Sequence, residues 1–327
     1  MLFRSLKKQS NPESIGLNPF IIGSPALCGL IVSLVIRGLY NPPSHTAELA
    51  YLEHIYNKSN PFEKVALKDI NLEINLGEFI GIIGHTGSGK STLAQHLNGL
   101  LEPTSGDVIV DGISTRTKVK TDIRKNVGLV FQYPEYQLFE ETCYKDIEFG
   151  PKNLGLTDEE IKERVEWACD AVGLDVEHMK EKSPFELSGG QKRRVAIAGV
   201  LAMKPKFLVL DEPTAGLDPL GRDMILNQIK QLFEREDMTV ILVSHSMEDI
   251  AKLCNRVIVI DKSQIFMDDT PEVVFSKEKE LKQIGLSIPQ STQVVRRLKE
   301  KGFDVKTDCL NVEQAYESIK KAMEAKS

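Results

Sequence analysis

A nine-residue stretch, GHTGSGKST from Gly84 to Thr92, decides the fold class of this chain. It follows the apolar run FIGIIG, precedes a helical pattern, and has the glycines, lysine and hydroxyl of a phosphate-binding loop. Gly87 and Gly89 let backbone N–H groups approach phosphates, and the start of the next helix attracts negative charge. Lys90 can neutralise the β and γ oxygens, and Ser91 can bind Mg²⁺. The predicted nucleotide-binding residues of the loop are Gly84, His85, Thr86, Gly87, Ser88, Gly89, Lys90, Ser91 and Thr92.

Apolar runs typical of buried strands recur along the rest of the chain. They are KFLVLDEP (Lys206–Pro213), TVILVSH (Thr239–His245) and RVIVIDKSQIFMDD (Arg256–Asp269). Helical patterns separate them, which favours an α/β core with a parallel sheet. GDVIVDG, residues 106–112, indicates a hairpin. Leu156–Leu174 predicts a helix that begins with a capping box of Thr157 and Glu160.

Two carboxylates follow the apolar run FLVL, at the carboxyl end of a predicted strand, where α/β sheets bind ligands. Asp211 can orient Mg²⁺ through water, and Glu212 can polarise the attacking water as a general base. The alternative, an acidic helix N-cap before Pro213, explains one carboxylate but not both. His245 ends another such strand, which favours contact with a γ-phosphate. Gln132 also follows an apolar run and could reach the metal or the water.

A second glycine pair lies in ELSGGQKRRVAIA, from Glu186 to Ala198. Ser188, Gly189 and Gly190 stand where a basic amphipathic helix is predicted to begin, so they can form an anion site. One nucleotide does not need two such sites, which raises the question of what the second one holds.

Composition excludes several classes of function. The 41 basic and 47 acidic residues give a net charge of −6, which argues against a broad surface for nucleic acid. The five cysteines are scattered, odd in number and without a CxxC pair. They favour neither a disulfide framework nor a zinc site, and a reducing cytoplasm fits best.

An apolar stretch near the N-terminus, Asn18–Tyr40, suggests a signal or a membrane span. Its uninterrupted part, Ala26–Ile36, is too short to cross a bilayer, and prolines and glycines break the rest. No second methionine occurs before Met179, so a non-ATG start near Leu49 would make the stretch an upstream extension of the gene model. Residues 1–46 are therefore predicted to be an atypical leader, disordered or absent from the native protein.

The motifs occur in a specific order: the phosphate loop, Gln132, LSGGQ, LVLDEP, AGLD (Ala215–Asp218) and His245. In this order they resemble the ATP-binding subunit of an ABC transporter, over about residues 50–285. The resemblance implies an α/β P-loop NTPase fold, with a RecA-like core, an antiparallel β subdomain and an α-helical subdomain.

The same resemblance gives the expected domain limits. The ABC ATPase domain spans residues 47–288, with the helical subdomain at about 135–200, and residues 289–327 form a small C-terminal helical appendage. Two amphipathic helices around FDVKTD in this appendage would serve dimerisation or partner contact, or form a solvated tail.

The resemblance further implies that two subunits dimerise head to tail and hold ATP and Mg²⁺ between them. Ser188, Gly189, Gly190 and Gln191 of one subunit would cover the ATP in the phosphate loop of the other. Asp218 would belong to the loop that crosses the interface. Tyr56 matches the aromatic residue that stacks on adenine, with Tyr51 and Phe62 as competitors. The implied catalytic residues are Glu212, His245 and Gln132, and the implied metal ligands are Ser91, Gln132 and Asp211.

A narrower resemblance lies in Val130–Leu156, in NPFEKVAL (Asn60–Leu67) and in the appendage. These segments look like the ATPases of energy-coupling factor transporters, which import vitamins and metal ions such as cobalt or nickel. The implied partners are a second ABC ATPase, either a copy or a paralogue, a membrane-spanning coupling subunit and a substrate-binding membrane subunit. The protein would be peripheral, on the cytoplasmic face of the cell membrane, and the groove after Gln132 would receive the coupling helices.

Glu135, Glu140 and Glu141 would supply negative charge in that groove for a partner's arginines. The alternative is a solvated acidic face.

Two other functions compete with a transporter ATPase. A soluble ABC ATPase acting on the ribosome or on nucleic acid usually has two fused units or a long coiled coil, whereas this chain has one motif set and no sustained heptads. A non-catalytic regulatory ATPase conflicts with the intact Lys90, Asp211, Glu212 and His245.

Overall fold

A computed structural model describes residues 46–324 of the chain. The chain divides into two units, residues 1–44 and 45–327, and every described residue belongs to the second. The predicted leader, residues 1–46, lies outside the described residues apart from its last residue, Thr46. The apolar stretch Asn18–Tyr40 lies wholly outside them. Among the helices of the described range, none has both the length and the hydropathy of a bilayer-spanning segment.

The described residues contain ten strands in two sheets. The strands are β1 Thr46–Tyr56, β2 Lys64–Asn75, β3 Phe79–Ile83, β4 Ser105–Val110, β5 Ile113–Ser114, β6 Val127–Val130, β7 Phe207–Asp211, β8 Thr239–Val243, β9 Arg256–Asp261 and β10 Gln264–Asp269. A four-stranded sheet has the order β2-β1-β4-β5, and a six-stranded sheet has the order β10-β9-β3-β8-β7-β6.

Twelve α-helices surround the sheets in the described range. They are α1 Lys90–Leu97, α2 Thr121–Asn126, α3 Cys143–Asn153, α4 Asp158–Ala171, α5 Val176–Glu181, α6 Gly189–Leu201, α7 Pro219–Arg235, α8 Met247–Leu253, α9 Pro271–Ser276, α10 Glu278–Gln283, α11 Gln290–Glu300 and α12 Val312–Glu324.

The four-stranded sheet is antiparallel throughout. Leu49 on β1 lies opposite Leu72 on β2 and Val108 on β4, and all three side chains are buried. The predicted hairpin is confirmed, because Asp111 and Gly112 join β4 to β5 with φ angles of 50° and 78°. A two-residue hairpin turn favours this left-handed pair. The sheet is the antiparallel β subdomain expected from the resemblance.

The six-stranded sheet is mainly parallel. β3, β7 and β8 are buried at every position, as their continuous apolar runs predict. The pairs β9–β3, β3–β8, β8–β7 and β7–β6 are all parallel, so the carboxyl ends of these five strands lie at one edge. The residues that follow at this edge include Gly84, Gln132, Glu212 and His245. The predicted α/β core is therefore confirmed.

The stretch Arg256–Asp269 was predicted to be part of the parallel sheet, but only its first half is parallel. β9 is parallel to β3, but the chain then turns at Lys262 and Ser263, and β10 returns antiparallel to β9. Both turn residues have positive φ, 45° and 68°. Neither is glycine, asparagine or aspartate, so the usual residues of a tight turn are missing at these two positions.

Helices α3 to α6 occupy the chain between β6 and β7. The capping box at the start of α4 is confirmed, since the Glu160 N–H donates to Thr157 Oγ1 and the Thr157 N–H donates to Glu160 Oε2. Ile161 and Val165 of α4 are buried at helical spacing, in a core that reaches α6 and one face of the six-stranded sheet.

The C-terminal helices α11 and α12 enclose a small apolar cluster of their own, centred on Val295, Val305 and Ala315. The FDVKTD segment between them is irregular rather than a strand. Arg296 of α11 binds Glu278 at 2.6 Å and the Phe275 carbonyl oxygen at 3.0 Å. These bonds hold the C-terminal helices against α9 and α10.

Candidate functional site

The phosphate loop runs from the end of β3 to the start of α1. Gly87 and Gly89 have φ angles of 79° and 113°, a region that disfavours other residues. A Cβ on Gly89 would also overlap the Ala66 carbonyl oxygen. The buried Ser88 hydroxyl has no hydrogen-bond partner in the described structure. This is consistent with a loop whose polar groups bind a ligand.

Lys90 folds back over this loop. Its Nζ donates to the carbonyl oxygens of Gly84 at 2.8 Å and His85 at 3.0 Å. Burial lowers the pKa of Lys90, and the nearby carboxylates of Glu212 and Asp211 oppose that shift. The ammonium group therefore lies within electrostatic reach of both predicted active-site acids.

Asp211 is the last residue of β7 and is buried beside α1. Burial raises the pKa of its carboxyl, while a hydrogen bond from Ser91 and the charge of Lys90 lower it. A hydroxyl and a carboxylate are ligands that suit Mg²⁺. The described residues contain no group of three or more His, Cys, Asp or Glu side chains able to hold a metal alone. An ion here would need phosphate or water oxygens as well, as Mg²⁺ sites usually do.

Glu212 and His245 meet directly at the edge of the sheet. His245 Nδ1 lies 2.8 Å from Glu212 Oε2, and 14% of the Glu212 side chain is exposed against 78% of that of His245. Glu212 has φ 51°, and its N–H donates to the Val243 carbonyl oxygen. The sequence placed both residues at this edge but did not predict their contact. The parallel register sets Asp211 beside Val243, so Glu212, one residue further, comes close to His245, two residues beyond Val243.

Gln132 and Tyr56 lie at the ends of other strands. Gln132 is exposed two residues after β6, the neighbour of β7. Tyr56 ends β1, and its hydroxyl lies 3.3 Å from Thr92 Oγ1 in α1. The competing aromatics Tyr51 and Phe62 are both exposed. The structure thus connects Tyr56, but neither competitor, to the phosphate-loop segment by a hydrogen bond.

The second glycine pair forms the start of α6. Ser188 is the N-cap, its Oγ accepting from the Gln191 N–H while Gln191 Oε1 accepts from the Ser188 N–H. Nothing in the described structure would obstruct a Cβ on Gly189 or Gly190, so their backbone is open to approach. Asp218 similarly caps α7 through the Gly221 N–H at 2.7 Å. The hydrogen bonds of Ser188 and Gln191 are local and include none to the phosphate loop of the same chain in the described range.

The structure corrects the expectation for Glu135, one of the three acidic residues after Gln132. Glu135 is bound by the buried Arg193, with contacts of 2.7 and 3.0 Å, and Glu141 pairs with Lys145 at 2.7 Å. Glu135 is therefore not available to a partner's arginine. The pair was not predictable from local sequence patterns, because its members are 58 residues apart.

A groove of about 590 Å³ lies in this region, bordered by α2, α3 and α6. One side of the groove is basic and is formed by Lys118, Lys120, Arg124 and Lys125. Phe139 and Phe149 also line the groove, as an edge-to-face pair with ring centroids 4.9 Å apart. Asp146 also lines the groove: its Oδ1 accepts from the N–H groups of Phe139 and Glu140, whereas its buried Oδ2 has no partner in the described structure. Burial raises the pKa of this carboxyl.

Comparison with known proteins identifies the chain's relatives. Residues 67–215 match a family model described as ABC transporter. The energy-coupling factor transporter ATP-binding protein EcfA2 of Clostridium tetani is 59% identical over 278 residues, which cover 84% of this chain and 96% of that protein. EcfA2 of Bacillus licheniformis is 47% identical over 280 residues, or 84% of this chain and 96% of that protein.

Solved structures agree with these sequences. CbiO1 from Clostridium perfringens, described as part of the ABC transporter complex CbiONQ, has a TM-score of 0.64 and 37% identity, and covers 74% of this chain and 94% of its own. A bacterial ABC transporter cassette solved as a dimer has a TM-score of 0.61 and 30% identity, covering 69% and 98%.

The resemblance inferred from the motifs is thus confirmed. These relatives are transporter components, and they give no support to the alternative of an ATPase that acts on the ribosome or on nucleic acid. The sequence match extends over nearly the whole length of the relatives and includes every motif of the site. The chain belongs to the ABC ATPases, in the family of energy-coupling factor transporter ATP-binding proteins.

Proposed function

We propose that this chain hydrolyses ATP between two head-to-tail ABC ATPase subunits and thereby powers import of a vitamin or transition-metal ion through membrane partners. The observation that carries the proposal is the contact of Glu212 with His245 at the sheet edge that holds the phosphate loop. A general base, a polar partner that orients it and a phosphate cradle are the groups that phosphoryl transfer to water requires.

Each residue of this edge has a proposed part in the reaction. The loop Gly84–Thr92 binds the phosphates, with Lys90 leaving the loop carbonyls for the β and γ oxygens. Glu212 accepts a proton from the attacking water, and His245 holds the carboxylate and contacts the γ-phosphate. Tyr56 stacks on adenine.

Ser91, Asp211 and Gln132 would hold Mg²⁺, and a bound ion would neutralise charge on the phosphates. The Ser91 hydroxyl is close enough to Asp211 to lower the pKa of its carboxyl, which supports this assignment.

The second subunit completes the site. Ser188, Gly189, Gly190 and Gln191 of one subunit would cover the γ-phosphate bound by the other, and Asp218 would lie at the interface between them. This follows from the exposed start of α6, where the N–H groups of a helix N-terminus remain open to an anion. The partner ATPase is a second copy or a paralogue.

Replacing Glu212 with Gln tests this function. Glutamine keeps the size and the bond to His245 but cannot accept the proton, so the turnover number should fall by about 100-fold or more. ATP binding should persist, and the subunits should accumulate as a closed dimer with the partner ATPase. Glu234→Gln, at an exposed position on α7, is the matched control. If gel filtration with ATP and Mg²⁺ resolves only separated subunits of the Glu212 variant, the composite site is wrong.

We also propose how the protein meets the membrane. The groove lined by Phe139, Phe149 and Asp146 would receive a coupling helix of a membrane-spanning subunit, which itself binds a substrate-binding membrane protein. Exposed aromatic rings beside a half-buried carboxylate with one unpartnered oxygen suit an amphipathic segment that carries an arginine or lysine. The protein would then be peripheral, on the cytoplasmic face of the cell membrane.

A further inference from the structure

Arg193 is the largest of the fully buried side chains in the described part of the chain, and it is charged. It lies on α6, in the second turn after Ser188. We propose that Arg193 is a positioning residue for ATP hydrolysis, which fixes the loop between Glu212 and Asp218 against the segment that follows Gln132.

The guanidinium group contacts both segments at once. Nε and Nη2 donate to the two carboxylate oxygens of Glu135 at 3.0 and 2.7 Å. Nη1 donates to the carbonyl oxygens of Pro213 at 3.1 Å and Ala215 at 2.7 Å. Only 2% of the Arg193 side chain and 15% of that of Glu135 are exposed. A buried charge is tolerated when its hydrogen bonds are made, and nearly every donor of this one is used.

The carbonyl contacts hold the loop directly beside the proposed base. Pro213 is the residue after Glu212, whose backbone is in the left-handed region at φ 51°. Ala215 begins the AGLD segment that ends at Asp218, the N-cap of α7. The loop thus has the proposed base Glu212 at one end and Asp218 at the other. Arg193 binds the loop between these two residues.

The other side of the contact holds the segment after Gln132. Tyr133 also has left-handed backbone, at φ 56°, and its ring lies 5.8 Å from the guanidinium carbon. A Cβ on Gly216 would be 3.2 Å from this ring, so Tyr133 packs against the loop that Arg193 binds. The segments that follow β6 and β7 thus meet at the guanidinium group of Arg193.

A lysine could not reproduce this arrangement. Its single ammonium group can bind one Glu135 oxygen, but it lacks the planar fork that reaches the carboxylate and the two carbonyl oxygens together. Since the loop carries the base, a displacement of about 1 Å there can reduce turnover by about 100-fold. The nucleotide's own contacts, at Lys90 and the loop after β3, would stay in place.

The test is steady-state ATP hydrolysis by the assembled transporter carrying Arg193→Lys. We expect the turnover number to fall about tenfold or more while KM for ATP changes less than about threefold. The loop beside Glu212 is no longer held in place, whereas the contacts of ATP with the phosphate loop of the same subunit are kept. Arg194→Lys is the matched control. Arg194 is the next residue of the same helix and binds the Gly173 carbonyl oxygen at 2.9 Å, away from both segments, so its turnover should stay within about twofold of wild type.

A double variant, Arg193→Met with Glu135→Met, separates positioning from stability. Removing both charges leaves no unpaired buried ion, so the melting temperature should stay within about 3 °C of wild type. The carbonyl contacts are still lost, so turnover should remain low. Recovery of wild-type turnover in this variant, or a turnover for Arg193→Lys equal to that of the Arg194 control, would overturn the inference.

The inference rests on the proposed role of Glu212, and the two can fail separately. If Glu212→Gln turns over normally, the proposed function is wrong. If Glu212→Gln is inactive and Arg193→Lys behaves like its control, only the positioning role is wrong.

Discussion

Three rings meet where the antiparallel sheet contacts α1. The centroid of the His54 ring lies 4.5 Å from that of Tyr56 and 4.7 Å from that of His96. His96 is fully buried, and its Nδ1 lies 2.7 Å from the Thr92 carbonyl oxygen. Because a carbonyl only accepts, we infer that His96 Nδ1 carries a proton in the neutral ring. Tyr56, which is proposed to stack on adenine, packs against His54, and His54 packs against the buried His96.

Burial lowers the pKa of His96 to about 4 from its ordinary value of 6.5. The unfolded chain then binds more protons than the folded one between these two values, so stability rises with pH in this window and is lost as pH falls. Between pH 7 and pH 5 this residue should remove about 2 kcal/mol of the free energy of unfolding.

His96→Leu should abolish that part of the pH dependence, whatever it does to stability at pH 7. Urea unfolding of the ATPase at pH 7 and pH 5 measures the difference. The exposed His178, replaced by Leu, is the control and should keep the wild-type slope. A slope unchanged by His96→Leu would contradict the assignment of a neutral, buried ring.

Single residues of the site were predictable where their neighbours in sequence define them. Lys90 and Ser91 follow from a local pattern, and Asp211 and Glu212 follow from the end of an apolar strand. Arg193 was not predictable, since its partners Glu135 and Ala215 are 58 and 22 residues away. Its sequence context, a basic helix, is typical of an exposed side chain.

At the scale of elements, α12 has a face that its own small cluster does not cover. Val312 and Tyr316, one turn apart, are 73% and 61% exposed. We propose that this face belongs to the dimerisation element expected in residues 289–327. Burying two such side chains at an interface contributes about 1–2 kcal/mol after the cost of ordering them.

Replacing Val312 and Tyr316 together with Ser should raise the dissociation constant of the ATPase pair about tenfold. Sedimentation velocity over a concentration series measures it. Val294→Ser, at a half-exposed position on α11, is the control and should leave the constant unchanged. Equal association of the double variant and wild type would leave α12 without the proposed role.

Elements were predicted best where one signal dominates. The capping box located the start of α4, and the continuous apolar runs located β3, β7 and β8. The β9–β10 turn was missed because Lys262 and Ser263 adopt positive φ without the usual residues. At this turn, the pairing of β10 with β9 outweighs the preference of Lys262 and Ser263 for negative φ.

At the scale of the whole molecule, the groove between α2, α3 and α6 is the proposed connection to the membrane. Asp146 is the acid that the structure favours there, rather than Glu135. Asp146→Asn keeps an oxygen for the N–H groups of Phe139 and Glu140 but removes the charge. It should weaken binding of the detergent-solubilised coupling subunit by about 30-fold, the loss expected when one member of an interfacial charge pair is neutralised.

Titration of the ATPase pair onto the coupling subunit measures this loss of affinity. As a check, the dissociation constant of the pair for ATP should stay within about twofold of the wild-type value. Glu141→Gln is the matched control, because its carboxylate is exposed and already bound by Lys145. If Glu141→Gln weakens binding and Asp146→Asn does not, the arginine or lysine of the partner binds elsewhere.

Glu212 occupies a backbone conformation that favours glycine. A side chain there costs about 1 kcal/mol of folding free energy, so a chain shaped by durability alone would be expected to carry glycine or asparagine at this point. For the proposed base, this strain is a cost in durability that is accepted for turnover. The same backbone region occurs at the turn residues Lys262 and Ser263, so the strain at Glu212 points to function only together with its contact to His245.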